Sequence, residues 1–449
     1  MFPSDEAVRE YQKIAERVKD KIPGQGDLRR MLDLDPDDPF TLMLLATSEG
    51  VNTEEREHLL WRGLCASPSS AIFPFQLSSL IRTRDDALSR GLLTLAARKL
   101  LRSPRLQSAF QSMAEKEGKP ASEAILSDPA LLNKLLDELE GPEPERVGAV
   151  LQPHRRVQDL IESEDGMDRE LVDEILDDPV TFRPFLEGII RDLAWPTPLG
   201  DMDGHTAAYA VALLGEIGDA SLLKDLLQCA DDNNVFDAAM WAMRRIAARQ
   251  PQHAVAAWRT LLPSLNEDDQ CLMVDQLLVM PPTPAAGEVL RSLFDDLGKL
   301  EPEVLAIRVI AVSSGLLRHV GNRVKPWLAE RYQRFRSRLS PEDREVWEAI
   351  VSGKFNPGEV LTPSIPSEFN IHDICCENAL EDYDGGEQLQ EEAFVPKPVV
   401  RTQRPGRNEP CWCDSGKKYK KCHLEADEKE PEAGLRKREG SSLSGPADR

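Results

Sequence analysis

The chain holds 449 residues, 41% of them apolar and 30% charged, with a net charge of −23 at neutral pH. That length accommodates roughly two to four domain-sized units, and the composition is that of a folded chain. The acidity excludes a general binder of phosphate backbones, and eight cysteines are too few for a disulfide scaffold.

At the start, Met1-Phe-Pro-Ser-Asp-Glu-Ala-Val-Arg-Glu carries acids where a secretory signal has a basic patch followed by an apolar stretch. No run of about 18 apolar residues stands out, so no membrane span is expected. These readings predict a cytoplasmic protein with reduced thiols.

Residues 1–350 read as helix after helix, because alternating runs rich in Val, Ile and Thr are scarce. Three short phrases, Asp35-Pro36, Ser67-Pro68 and Ser103-Pro104, each follow an apolar helical run and are expected to end it. Within the first unit, Leu42, Leu45 and Ala46 precede a break at Glu49-Gly50-Val51-Asn52, and a second helix carries Leu59, Leu60 and Leu64. Another helix is expected after Ser127-Asp128-Pro129, capped by Asp128 and closed by Gly141, with Leu131, Leu132, Leu135, Leu136 and Leu139 at helical spacing.

A clearer internal pair follows. Ala210, Leu214 and Ile217 fall on Ala239, Met243 and Ile246 after a shift of 29 residues. Each helix precedes a second apolar one, over 222–227 and 254–262. Less regular units surround Leu272–Met280 and Val304–Val312. A two-helix unit cannot bury its apolar face alone, so stacked neighbours are expected to share one continuous core. Further on, Leu328, Tyr332, Phe335 and Leu339 form one stripe of a helix predicted over 327–339, and Arg331, Arg334 and Arg338 another. The arginines read as the solvated face of a capping helix, with a basic groove as the alternative. Ser340-Pro341-Glu342-Asp343 marks a further helix start.

Residues 1–160 resemble degenerate tetratricopeptide repeats, and 161–350 resemble HEAT-type repeats. The stretch from about 165 to 340 looks like a bacterial helical-repeat family of unknown function that often precedes a cysteine-rich tail. The resemblance implies an all-α fold, an α-solenoid whose concave face holds a protein partner.

Composition then shifts. Between His372 and Pro396 there are eight acids and no Lys or Arg, which predicts a largely disordered acidic linker over 351–400. From Lys397 to Leu424 the sign reverses, with eight Lys or Arg against two acids. Residues 426–449 read as a polar, disordered tail.

Inside the basic stretch, Cys411, Cys413, Cys422 and His423 fall within 13 residues. Three sulfurs and one imidazole complete the tetrahedral set that structural Zn2+ favours. Ser415-Gly416 lets the chain reverse so that the second pair can meet the first. A redox-active thiol cluster is the other reading of these residues.

The segment from Arg404 to His423 resembles the SEC-C motif, the zinc-binding tail of the SecA preprotein-translocation ATPase. Gly406, Arg407, Asn408, Pro410, Cys411, Cys413, Ser415, Gly416, Lys417, Lys418, Tyr419, Lys420, Lys421, Cys422 and His423 match the pattern. Trp412, Asp414 and Leu424 depart from its usual proline and two glycines, none at a ligand position. The resemblance implies a module of residues 401–425 that docks an acidic surface, as the translocation ATPase does with the export chaperone SecB. Arg404, Arg407, Lys417, Lys418, Lys420 and Lys421 would form that contact. Ribosomal RNA is the alternative partner, and the acidic linker folding back is a third.

Asp201, Asp203 and His205 read as a loop and helix cap rather than an acid–base site. Cys375 and Cys376, near His372, are weak evidence for a metal site. Cys65, Cys229 and Cys271 lie on apolar helical stretches and read as core. No nucleotide loop, nucleophile elbow or His-Glu-x-x-His pair is present. The expectation is therefore a non-enzymatic adaptor with no small-molecule substrate, a hydrolase or lyase in the helical body being the third alternative.

Overall fold

The computed structural model describes residues 8–10, 13–14, 23–103, 107–108, 129–139, 141–163, 166–194, 204–230, 234–300, 302–352 and 370–376. The chain divides at residues 393/394, and everything described lies in the first unit. Among the described residues all regular structure is helical, in agreement with the all-α expectation.

The helices run in chain order as α1 (Gln25–Leu34), α2 (Pro39–Thr47), α3 (Thr53–Ala66), α4 (Ile72–Ile81), α5 (Asp86–Arg102), α6 (Pro129–Leu139) and α7 (Glu145–Ile161). They continue as α8 (Arg169–Asp177), α9 (Pro179–Ala194), α10 (Gly204–Ile217), α11 (Leu223–Cys229), α12 (Phe236–Arg249) and α13 (Pro251–Leu261). The last are α14 (Glu267–Val279), α15 (Pro284–Asp296), α16 (Pro302–Val320), α17 (Lys325–Tyr332), α18 (Pro341–Ser352) and α19 (Ile371–Cys376).

Local chemistry sets the boundaries. Asp35, Ser67 and Ser103 each stand at the C-cap of a helix, as their shared sequence context predicts. Proline opens α2, α6, α9, α13, α15, α16 and α18. There its missing N–H costs nothing, and its fixed φ suits the first turn. Side-chain oxygens take the orphan amides: Asp38 accepts from Thr41 N at 2.8 Å, Asn52 from Glu55 N at 2.9 Å, and Ser340 from Asp343 N at 3.1 Å. The helix expected after Pro129 forms, whereas its cap Asp128 lies outside the described residues.

Packing is chiefly between neighbours in the chain: α2 on α3, α4 on α5, α9 on α10, α15 on α16. The internally related α10 and α12 lie against each other. One buried core gathers α1 to α5 with Val147 and Leu151 of α7, and a larger one runs from Val157 to Cys375. Two longer-range packings, α3 on α9 and α5 on α7, tie the early helices to the later ones. Gly188 makes the first possible. A Cβ there would come within 2.4 Å of the Cys65 carbonyl oxygen and 2.7 Å of the Pro68 ring. Gly188→Ala is expected to lower the unfolding free energy by about 1–3 kcal/mol through overpacking, read by denaturant melting of the full chain. No loss would mean that α3 and α9 do not approach in this way.

Three expectations are corrected. The helix predicted over 327–339 breaks after Tyr332 and resumes as a 3-10 turn at Arg336–Arg338. The break still buries Leu328, Tyr332, Phe335 and Leu339. Tyr332 stacks on Trp347 with centroids 3.6 Å apart, so tertiary packing overrides the helical spacing. Second, Val304–Tyr332 is long and apolar enough to cross a membrane by length and composition, yet 61% of its 18-residue apolar window is buried within the protein. Its apolar faces are used by α14, α15 and α18. Third, residues 371–376, inside the span expected to be a largely disordered linker, form α19. Ile371, Ile374 and Cys375 bury themselves on α8 and α10.

Candidate functional site

Cys411, Cys413, Cys422 and His423, with Arg404, Arg407, Lys417, Lys418, Lys420 and Lys421, lie outside the described residues. Their donor chemistry is nonetheless complete: three thiols and an imidazole suit a four-coordinate structural zinc without further help from the chain. Among the described residues no group of three or more His, Cys, Asp or Glu is arranged to hold a metal.

Each weaker constellation finds a structural use, or falls partly outside the description. Arg331 donates to Asp295 at 2.7 Å and lies over the Trp327 ring, with its guanidinium carbon 4.5 Å from the centroid. Arg334 approaches the same carboxylate at 3.7 Å, and Arg338 donates to the carbonyls of Gly298 (2.8 Å) and Leu300. These arginines brace α15 and the turn after it, so their charge is already engaged. Asp201 and Asp203 lie outside the described residues, and His205 is exposed in the first turn of α10. Cys229 is buried in the larger core and Cys65, half-buried, packs against it, as read; Cys271 is half-buried and stands outside that core, a correction. Burial pushes the Cys65 thiol up to about 11, and that of Cys375 well above its ordinary value. Both are therefore held as neutral thiols in the folded protein. His372 Nε2 sits 2.8 Å from Asp173 Oδ1, a contact to the helical body rather than to the cysteines.

One buried polar cluster escaped sequence reasoning. Asp192 of α9 accepts from Ser67 Oγ at 2.6 Å, Ser69 Oγ at 2.6 Å and Ser69 N at 3.1 Å. Lys99 of α5 donates to Gln158 of α7 at 2.9 Å and to the Pro68 carbonyl. Burial raises the Asp192 carboxyl to about 6 against the pull of its serine partners, and lowers the Lys99 amine to about 7. His154, packed edge-on to Phe185 at 4.9 Å, is pushed down to about 3 by burial and by Lys99, and stays neutral. Lys99 and Asp192 are 4% and 3% exposed, which withholds both from a substrate. The cluster stitches the Ser67–Ser70 loop to three helices. A signal existed: Lys99 continues the apolar stripe of Leu92, Leu95 and Ala96, and Asp192 that of Phe185 and Ile189, where charge is out of place.

A cleft of about 600 Å³ lies between α5, α6, the 141–144 segment and the middle of α7, lined by Arg90, Thr94, Arg98, Glu143 and Arg155 among others. Its cations are also committed. Arg155 meets Glu143 through two bonds of 2.6 Å, Arg98 reaches Asp159 at 3.1 Å and Glu162, and Arg90 donates to the Leu139 carbonyl at 3.3 Å.

The described part of the chain is an all-helical body, and the informative match lies beyond it. Residues 407–425 match the family model of the SEC-C motif. Over 43 residues, 9% of this chain, it is 58% identical to the protein translocase subunit SecA of Pseudomonas putida strain KT2440, covering 5% of that protein. It is also 45% identical over 47 residues (10% of this chain, 5% of the relative) to SecA of Chlorobium phaeovibrioides, and 61% over 36 residues (8% and 4%) to SecA of Caldicellulosiruptor saccharolyticus. The likeness thus spans about one-twentieth of these relatives. No solved structure matches the chain.

Proposed function

We propose that the protein is a cytoplasmic, non-enzymatic adaptor. A HEAT- and tetratricopeptide-like helical solenoid holds one partner, and a SEC-C module docks an acidic protein surface related to export. The observation that carries this reading is the SEC-C match at 407–425 together with the identity to SecA over a stretch of 43 residues. Neighbour-on-neighbour packing of the helices supports the solenoid. Zinc held by Cys411, Cys413, Cys422 and His423 would supply folding energy to a segment whose bulky groups are mainly Pro405, Pro410, Trp412, Tyr419 and Leu424. Around it, Lys417, Lys418, Lys420 and Lys421 with Arg404 and Arg407 present the positive charge that an acidic partner would meet.

The probe is purified SecB, titrated calorimetrically into the full-length protein. Binding is expected to weaken steeply between about 50 and about 300 mM salt, since exposed charges are screened over such a range. It is expected to vanish on combining Lys417→Glu with Lys421→Glu. Binding unaffected by both would overturn the docking role. The basic span 397–424 also suits RNA. RNA that outcompetes the protein probe would favour that second reading.

A further inference from the structure

The helical body binds a piece of its own tail. Asn370 caps α19 reciprocally: its Oδ1 accepts from His372 N at 2.9 Å, and Asp373 Oδ2 accepts from Asn370 N at 2.8 Å. Ile371, Ile374 and Cys375 share one side of that short helix and are 6%, 2% and 0% exposed against α8 and α10. Its end is held through the backbone, where Met167 N donates to the Cys375 carbonyl at 2.6 Å. Gly166 leaves room for this. Its φ is +109°, and a Cβ there would lie 2.7 Å from the Cys376 carbonyl oxygen. His372 adds its contact to Asp173 of α8. The segment therefore meets the body through apolar anchors, a polar pair and a main-chain bond, the arrangement by which a groove takes a short helical peptide.

We propose that the groove formed by α8, α10 and Gly166-Met167 is a peptide-docking site whose resident ligand is this chain's own residues 370–376, held reversibly. Three buried apolar side chains are few to set against the ordering of seven residues, so the docked segment is expected to open. This inference does not depend on what the module binds.

The test is site-resolved alkylation of the native full-length protein, followed by mass spectrometry. Cys375 is expected to react about tenfold or more slowly than its half-buried neighbour Cys376, because it reacts only from the opened state. In Ile374→Asp the two rates should converge while Cys229, buried in the body, keeps its rate. Gly166→Ala should give the same convergence from the groove side. A synthetic peptide of residues 368–378 should accelerate Cys375 saturably. Equal rates in the unmodified protein, or no acceleration by the peptide, would overturn the proposal. So would protection that appears only with a doubled native mass, which would assign the groove to a second copy's tail.

Discussion

Serine in place of both Cys413 and Cys422 is expected to strip zinc from the protein and unfold residues 404–424 while leaving the helical body intact. With two of four donors gone the ion loses its closed tetrahedral shell. Structural zinc sites of this size carry about 10–16 kcal/mol of apparent binding energy, far more than a coreless segment can replace. Tryptic cleavage within the Lys417–Lys421 cluster would report it: slow in the native protein, fast in the variant. The melting of the body is expected not to move. Cleavage at the same rate in both proteins would mean that the cysteines do not organise the segment.

The second large effect concerns the buried cluster. Asp192→Ala is expected to cost about 3–5 kcal/mol, because it removes the buried acceptor of three bonds from Ser67 and Ser69 and one of the two carboxylates, with Glu162, that offset the Lys99 charge. Lys99 adds a pH dependence. Its folded value of about 7 lies below the ordinary 10.5, so the native state holds the proton less tightly than the unfolded chain. Stability gained from this group therefore rises with pH between 7 and 10.5, by at most about 1.4 kcal/mol per unit. Asp192 acts in a lower window. Its folded value of about 6 lies above the ordinary 3.8, so stability falls as pH rises from 3.8 to 6 and then levels. Denaturant melts of the native protein and of Lys99→Met between pH 7 and 9 should diverge in the native protein's favour as pH increases. Parallel curves would place Lys99 in contact with water.

Much of the helical architecture is legible before any coordinates, because caps and proline starts are local. Asp35, Ser67, Ser103 and Ser340 each mark a boundary through the bond its own neighbourhood makes. The kinship of α10 and α12 is likewise visible as matched apolar positions. What stays hidden depends on partners far away in the chain. Asp192 meets Ser67 across 125 residues, and His372 meets Asp173 across 199. The break after Tyr332 answers to Trp347, not to the helical spacing of its own stripe. Acid counts along 372–396 suggest a solvated linker and conceal the three apolar anchors of α19 at its start. For the candidate site the order is reversed. Cys411, Cys413, Cys422 and His423 are close enough in sequence for spacing alone to pair them with a metal, and they fall outside the described residues.

The claim on which the adaptor reading rests is that these four residues clasp zinc. Elemental analysis of the purified full-length protein, paired with its native mass before and after a chelator, tests it most directly. The account predicts one zinc per chain, lost to the chelator and absent from the double serine variant. A native protein that carries no stoichiometric zinc would contradict it.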